Sequence, residues 1–134
     1  MTLQELEDGF PNGFHDAMLL RVAFDFTNMT CDLVIDVNDN DPDPDVSAIA
    51  SVRLTGLAFA CLTPPGAEML PLQEGPMDIQ IVDTNESILP GYAKSRERLP
   101  AGVFFCSLFL FPNFELHLAA ENAQLISVEK IASI

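Results

Sequence analysis

The sequence predicts an all-β protein: an antiparallel β-sandwich or barrel-like sheet of about seven strands, preceded by one short N-terminal helical turn. Three observations carry that expectation. Apolar and polar residues alternate with period two in run after run, as a strand with one buried face requires. Clusters of Gly, Pro, Asn and Asp separate the runs and favour turns. Between the runs there is no apolar pattern of helical period long enough to cross over from one parallel strand to the next. With 134 residues, 49% of them hydrophobic, the chain is long enough to bury a core and short enough for one domain, 1–134.

The first element is "TLQELED" (2 to 8), where Thr2 caps a helical turn and Glu5 follows three positions later. "GFPNG" breaks it. From Ala17 the period turns to two: Met18, Leu20, Val22, Phe24 and Phe26 face inward, and Arg21, Ala23 and Asp25 outward. After the turn "TNM" (27 to 29), Cys31, Leu33, Ile35 and Val37 point inward against Asp32 and Asp36, which makes a hairpin. "SAIASVRLTGLAFACL" (47 to 62) is a single long strand with a parity slip. A bulge at Gly56 would bring Leu57, Phe59 and Cys61 onto the face of Val52 and Leu54.

"TPPGAEMLPLQEGP" (63 to 76) carries four prolines and is loop. "MDIQIVD" (77 to 83) alternates again, with Met77, Ile79 and Ile81 inward, and residues 84 to 102 form a long connection. "VFFCSLFLF" (103 to 111), "FELHLA" and "QLISVEKI" then read as a three-stranded meander. Its first strand is apolar on both faces and belongs at the centre of the sheet or under cover on both sides.

Composition bounds the partners. A formal charge of −14 repels nucleic acid phosphates and anionic lipid, so neither nucleic acid nor membrane is expected, and it favours a basic protein. The same acidity also serves plain solubility, and both readings stay open. The longest apolar run is about half of a membrane helix, and acids stand where a signal peptide carries Lys or Arg. Cys31, Cys61 and Cys106 are odd in number and lie inside apolar runs, which suits buried free thiols. The cytoplasm is the expected compartment.

Three stretches are candidate sites. "LVIDVNDNDPDPD" (33 to 45) concentrates oxygen donors of the kind calcium selects. Within it Asp36, Asn38, Asp39, Asn40 and Pro42 match the cadherin inter-repeat pattern Asp-x-Asn-Asp-Asn-x-Pro. That resemblance implies a divalent-cation site; with the neighbouring carboxylate of Asp41, the candidate ligands are Asp36, Asn38, Asp39, Asn40 and Asp41. An EF-hand loop is excluded, because Asp41 and Ser47 stand where Gly and Glu are needed. The competing reading is a solvated turn, since Asn and Asp favour turns and Pro42 and Pro44 cannot join a ladder.

"YAKSRER" (92 to 98) sets Tyr92 beside Lys94, Arg96 and Arg98, an anion or partner contact or else an exposed loop that offsets acidity. "NGFHDA" (12 to 17) places His15 and Asp16 just before the first strand, where a role in tying the loop to the sheet edge competes with catalysis. "FHDA", followed by an alternating strand and a second strand rich in Asp, resembles small bacterial all-β domains of uncharacterised function, some grouped with immunity proteins of toxin systems. The resemblance spans residues 1 to 37 and implies His15 and Asp16 as signature positions and no catalytic activity. His117, beside Glu115 on the polar face of its strand, reads as a cross-strand partner.

No nucleophile elbow, phosphate cradle or zinc motif is present, and no enzyme or cofactor is expected. The leading functional expectation is an acidic binding protein, of immunity type, for a basic partner. The alternatives are a structural or self-associating β-domain without ligand, with a homodimer left open, and a weak divalent-cation binder.

Overall fold

The computed structural model describes residues 1–10, 13–37, 46–63, 77–83, 97–111 and 114–132. They form α1 (Leu3–Glu7), β1 (Met18–Asp25), β2 (Thr30–Asp36), β3 (Val46–Thr55), β4 (Phe59–Thr63), β5 (Met77–Asp83), β6 (Phe104–Phe111), β7 (Phe114–Ala120) and β8 (Asn122–Ala132). All eight strands belong to one sheet of order β4-β7-β6-β5-β1-β2-β3-β8, antiparallel in every pairing. The sheet is not a closed barrel, since β4 and β8 end it. Among the described residues no helix is long and apolar enough to cross a membrane.

The sheet divides into two halves that share a core. Between β1 and β5 only Met18–Asp78 and Leu19–Met77 pair. On one side of that seam lie β1-β2-β3-β8, on the other β4-β7-β6-β5. Leu33, Ile35, Val52 and Leu54 from the first half and Ile79, Leu108, Leu116 and Leu118 from the second are all buried in a single hydrophobic cluster. Inward-facing positions of both halves therefore meet in one interior, as a sandwich requires.

Two expectations about strand pairing are corrected. Residues 47 to 62 do not make one bulged strand. Gly56 adopts φ +62°, which ends β3, and Leu57 and Ala58 carry the chain into β4. The positive φ is what calls for glycine here; a Cβ would also stand 2.6 Å from the Glu121 side chain, but that chain is exposed and can swing away. Leu57 is buried, but Phe59 and Cys61 pair with Ala119 and His117 on the outer face instead of continuing the inner one.

Nor is the C-terminal segment a three-stranded meander. A single residue, Glu121, separates β7 from β8, too few for a hairpin turn. Its N–H instead reaches the carbonyls of Thr55 and Gly56 at 3.0 and 3.2 Å. The chain bends there, and β8 runs on against β3 from Asn122–Thr55 to Ala132–Val46. Thus β3–β4 and β7–β8 form one long two-stranded ribbon, bent at Gly56 and Glu121. This split is also why eight strands are found where about seven are expected from sequence pattern.

The inner face of β1 differs too. Its register against β2 slips between Leu19 and Arg21, so Leu19 is buried and Leu20, expected inside, is 43% exposed. β6 lies between β5 and β7, with Cys106 and Leu108 buried on one face and Phe105 and Ser107 on the other, as its two-sided apolarity demands. Phe105 joins Val103 and Ala119 in a smaller outer cluster with Phe59 and Leu99 packed against it.

α1 forms as its cap predicts, with Thr2 Oγ1 accepting from the Glu5 N–H at 3.1 Å. It packs Leu3 and Leu6 into the core near β8, where the Ala123 N–H donates to the Met1 carbonyl. Cys31 and Cys106 are buried free thiols, and loss of water pushes both up to about 12, which leaves them without thiolate chemistry at neutral pH. Cys61, expected to be buried as well, is free and half-buried on the edge strand β4.

Candidate functional site

The outer face of β1-β2-β3-β8 carries the most developed surface chemistry among the described residues. Register places side chains on it in lateral rows. One row runs Arg21, Val34, Ser51, Ser127 across the four strands, and the next runs Ala23, Asp32, Arg53, Gln124. Inner positions of the same strands, such as Leu33 and Val52, are core, so these residues face the other way by simple alternation.

Asp32 and Arg53, opposite one another on β2 and β3, form a bidentate pair: Nε to Oδ1 at 2.8 Å and Nη2 to Oδ2 at 3.1 Å. The guanidinium holds the Asp32 carboxyl below its ordinary range, and Arg21 adds to the effect. The pair separates two depressions. One, of about 250 Å³, opens beside Arg21, Val34, Ser51, Arg53 and Ser127. The other, of about 380 Å³, lies toward the β1–β2 turn beside Phe24, Asp25, Asn28, Thr30 and Asp32.

The turn itself is stiff. Asp25 Oδ1 accepts the N–H groups of Thr27 and Asn28 at 3.0 and 3.1 Å, and Oδ2 accepts Asn28 Nδ2 at 2.8 Å. These bonds, the Asn28 side chain foremost, hold the Asp25 carboxyl below its ordinary range. The Met29 carbonyl, in a residue with φ +51°, takes the Leu57 N–H and fastens the tip to the ribbon bend. On this fixed tip Phe24 and Phe26 stack with centroids 5.9 Å apart and planes 5° from parallel. Phe26 is 70% exposed and Met29 is 44% exposed, an apolar patch beside the Asp25 carboxylate.

A group whose folded pKa is depressed adds stability above its unfolded pKa and loses it as pH falls through the folded one. The stability difference between wild type and Asp32→Asn should therefore be full near neutrality and shrink below about pH 3.9. Being an exposed pair, it is worth at most about 1 kcal/mol. Denaturant titrations of both proteins between neutral and strongly acid pH measure it, and a difference that widens in acid contradicts the assignment.

The "FHDA" segment is a docked turn. Phe14 and Ala17 are buried, while His15 and Asp16 are exposed, with His15 Nδ1 3.0 Å from Asp16 Oδ2. Asp16 has φ +65°, and its backbone N–H, not its carboxylate, donates to the Ile79 carbonyl at 2.7 Å. Glu7 completes the joint from α1, its Oε2 accepting the buried Phe14 N–H at 2.9 Å. The turn is thus tied through main chain to β5, an interior strand, and not through the His15 or Asp16 side chain to an edge of the sheet.

Of the acidic stretch, Asp36 ends β2, pairing with Met18 and Ile49; Asn38, Asp39, Asn40 and Asp41 lie outside the described residues. Among the described residues no group of three or more His, Cys, Asp or Glu could hold a metal ion. Arg98 is exposed, and Tyr92, Lys94 and Arg96 lie outside the described residues.

Sequence reasoning reached only part of one arrangement. On the outer face of the other half, Ser107 Oγ lies 2.6 Å from His117 Nδ1, and His117 Nε2 lies 3.0 Å from Glu115 Oε2. Phe109 meets the imidazole edge-on at 6.4 Å. His117 is 2% exposed and Ser107 5%, so this line satisfies a buried imidazole at both nitrogens. Alternation flagged the strand partnership of His117, but nothing in "VFFCSLFLF" marks Ser107 as its acceptor-facing hydroxyl. No protein-family model matches the chain, and no curated protein matches it significantly.

Proposed function

We propose that this chain is a binding module that engages a basic protein through the β1–β2 tip and the acidic depression beside it. The supporting observation is the Phe24–Phe26 stack, exposed on a turn that Asp25 holds rigid, on a chain of net charge −14. Rigid exposed aromatics bury area at small entropic cost and dominate interface energies. The Asp25 carboxylate beside them and the chain's overall negative charge steer a cationic surface toward the tip. The likeness of residues 1 to 37 to immunity-type domains would make that partner a toxin inhibited by occlusion. Three free cysteines suit a reducing compartment, and we place the module in the cytoplasm.

Affinity capture with the wild-type chain and with a Phe24→Ala/Phe26→Ala variant tests this. The expected partner is basic, its capture weakens as salt rises, and the double variant loses at least roughly 30-fold in affinity while melting like wild type. A neutral or acidic partner, or capture indifferent to both the variant and salt, overturns it. Self-association is the second reading, favoured by one observation: the edge strand β8 exposes Leu125, Ile126, Val128 and Ile131 by 44–50%. Light scattering showing a stable dimer of the pure chain would support that reading instead.

A further inference from the structure

The depression beside Arg21 has a polarity opposite to that of the molecule. The chain has six Lys and Arg in all, and Arg21 and Arg53 both line this one hollow of about 250 Å³. The hydroxyl-bearing residues Ser51 and Ser127 lie side by side across β3 and β8, in the same lateral row as Arg21. Asp32 contributes one negative charge, but Arg53 already covers both its oxygens and spends only two of a guanidinium's five N–H donors doing so. Val34 and Ile126 supply apolar wall. Screening confines charge effects to about 8–10 Å at moderate salt, so the hollow is governed by the groups that line it. With Asp32 matched to Arg53, Arg21 leaves it one net positive charge, while Asp25 lines the neighbouring depression.

We propose that this hollow is a binding site for a small organic oxyanion, a carboxylate or phosphate monoester with a compact apolar body. The oxyanion lies between the guanidiniums of Arg21 and Arg53 and takes hydrogen bonds from Ser51 and Ser127. Its apolar body rests on Val34 and Ile126. Guanidinium is suited to such a head because its planar N–H fork matches two oxygens at once. This site does not rest on the partner-binding reading, since Phe24, Phe26 and Met29 do not line it.

Titration of isotope-labelled protein with benzoate and with phenyl phosphate, followed by amide chemical shifts, is the test. The expected result is saturable binding of at least one probe, with shifts centred on residues 21, 34, 51, 53 and 127. Response to both identifies the shared oxyanion chemistry, and response to one alone identifies its source as carboxylate or phosphate. Arg21→Gln, at an exposed position, should weaken binding by roughly tenfold or more without changing the melting temperature. Ser51→Ala/Ser127→Ala should weaken it as well. Absence of saturation with both probes, shifts centred elsewhere, or an Arg21→Gln protein that binds as wild type each overturn the proposal. The Phe24→Ala/Phe26→Ala variant should bind the probes normally, which separates failure here from failure of the partner-binding reading.

Discussion

Phe14→Ala is expected to lower the unfolding free energy by about 3–5 kcal/mol, the range for removing a fully buried aromatic ring. The ring has no exposed surface, contacts Phe10 at 5.4 Å between centroids and sits in the main core cluster. Its backbone N–H is also the one that Glu7 receives, so the cavity opens where α1 and the turn before β1 are joined. His15→Ala and Asp16→Asn, by contrast, alter exposed side chains bonded only to each other in the described structure. Asn tolerates the φ of +65° at position 16 as Ala does not, and each should cost less than about 1 kcal/mol. Urea denaturation of the three variants makes the comparison. Should Phe14→Ala prove as mild as its neighbours, the turn is not docked as described. The contrast bears on the "FHDA" signature: its packing role lies in its apolar letters, and its two polar letters are left to face solvent.

His117→Ala should cost about 2–4 kcal/mol, from lost packing together with polar groups deprived of their partner. At 2% exposure the imidazole has no water to fall back on, and its removal strands the Ser107 hydroxyl at a 5% exposed position. Ser107→Ala removes the other end of the same bond and should cost about 1–2 kcal/mol. The two losses should not add: the double variant should recover at least about 0.5 kcal/mol relative to their sum. Equilibrium unfolding of the four proteins in the cycle gives the coupling, and strict additivity would show that the 2.6 Å contact does not hold in solution.

Local rules read well where the structure is local. The Thr2 cap, the hairpin of β1 and β2, the strand at 77 to 83 and the covered position of β6 all follow from neighbours in sequence. Alternation failed where a ladder slips: nothing in "MLLRV" says that Leu19 and not Leu20 turns inward, because the register shift is decided against β2. The pairing of β8 with β3 was also out of reach. It depends on Glu121 meeting Thr55 and Gly56 across more than sixty positions of chain, a contact without local signature.

The candidate surface was half legible. Alternation set Arg21, Asp25 and Asp32 on the outward side, yet the depressions exist only because β2 sits between β1 and β3 and carries Asp32 to Arg53. Phe24 and Phe26 were assigned to the interior by the same alternation. Both lie at the end of the hairpin, where the strand outruns the sheet half that could cover it, so they emerge as surface.

The bent ribbon at Gly56 and Glu121 has a mechanical consequence. One continuous pair of backbones lines both walls of the sandwich, so neither wall owns its last two strands. Prising the walls apart cannot proceed by parting side chains alone, because it must straighten or tear main-chain ladders in each. The molecule is thereby biased toward coming undone all at once, with no half-open form in which one wall stands by itself.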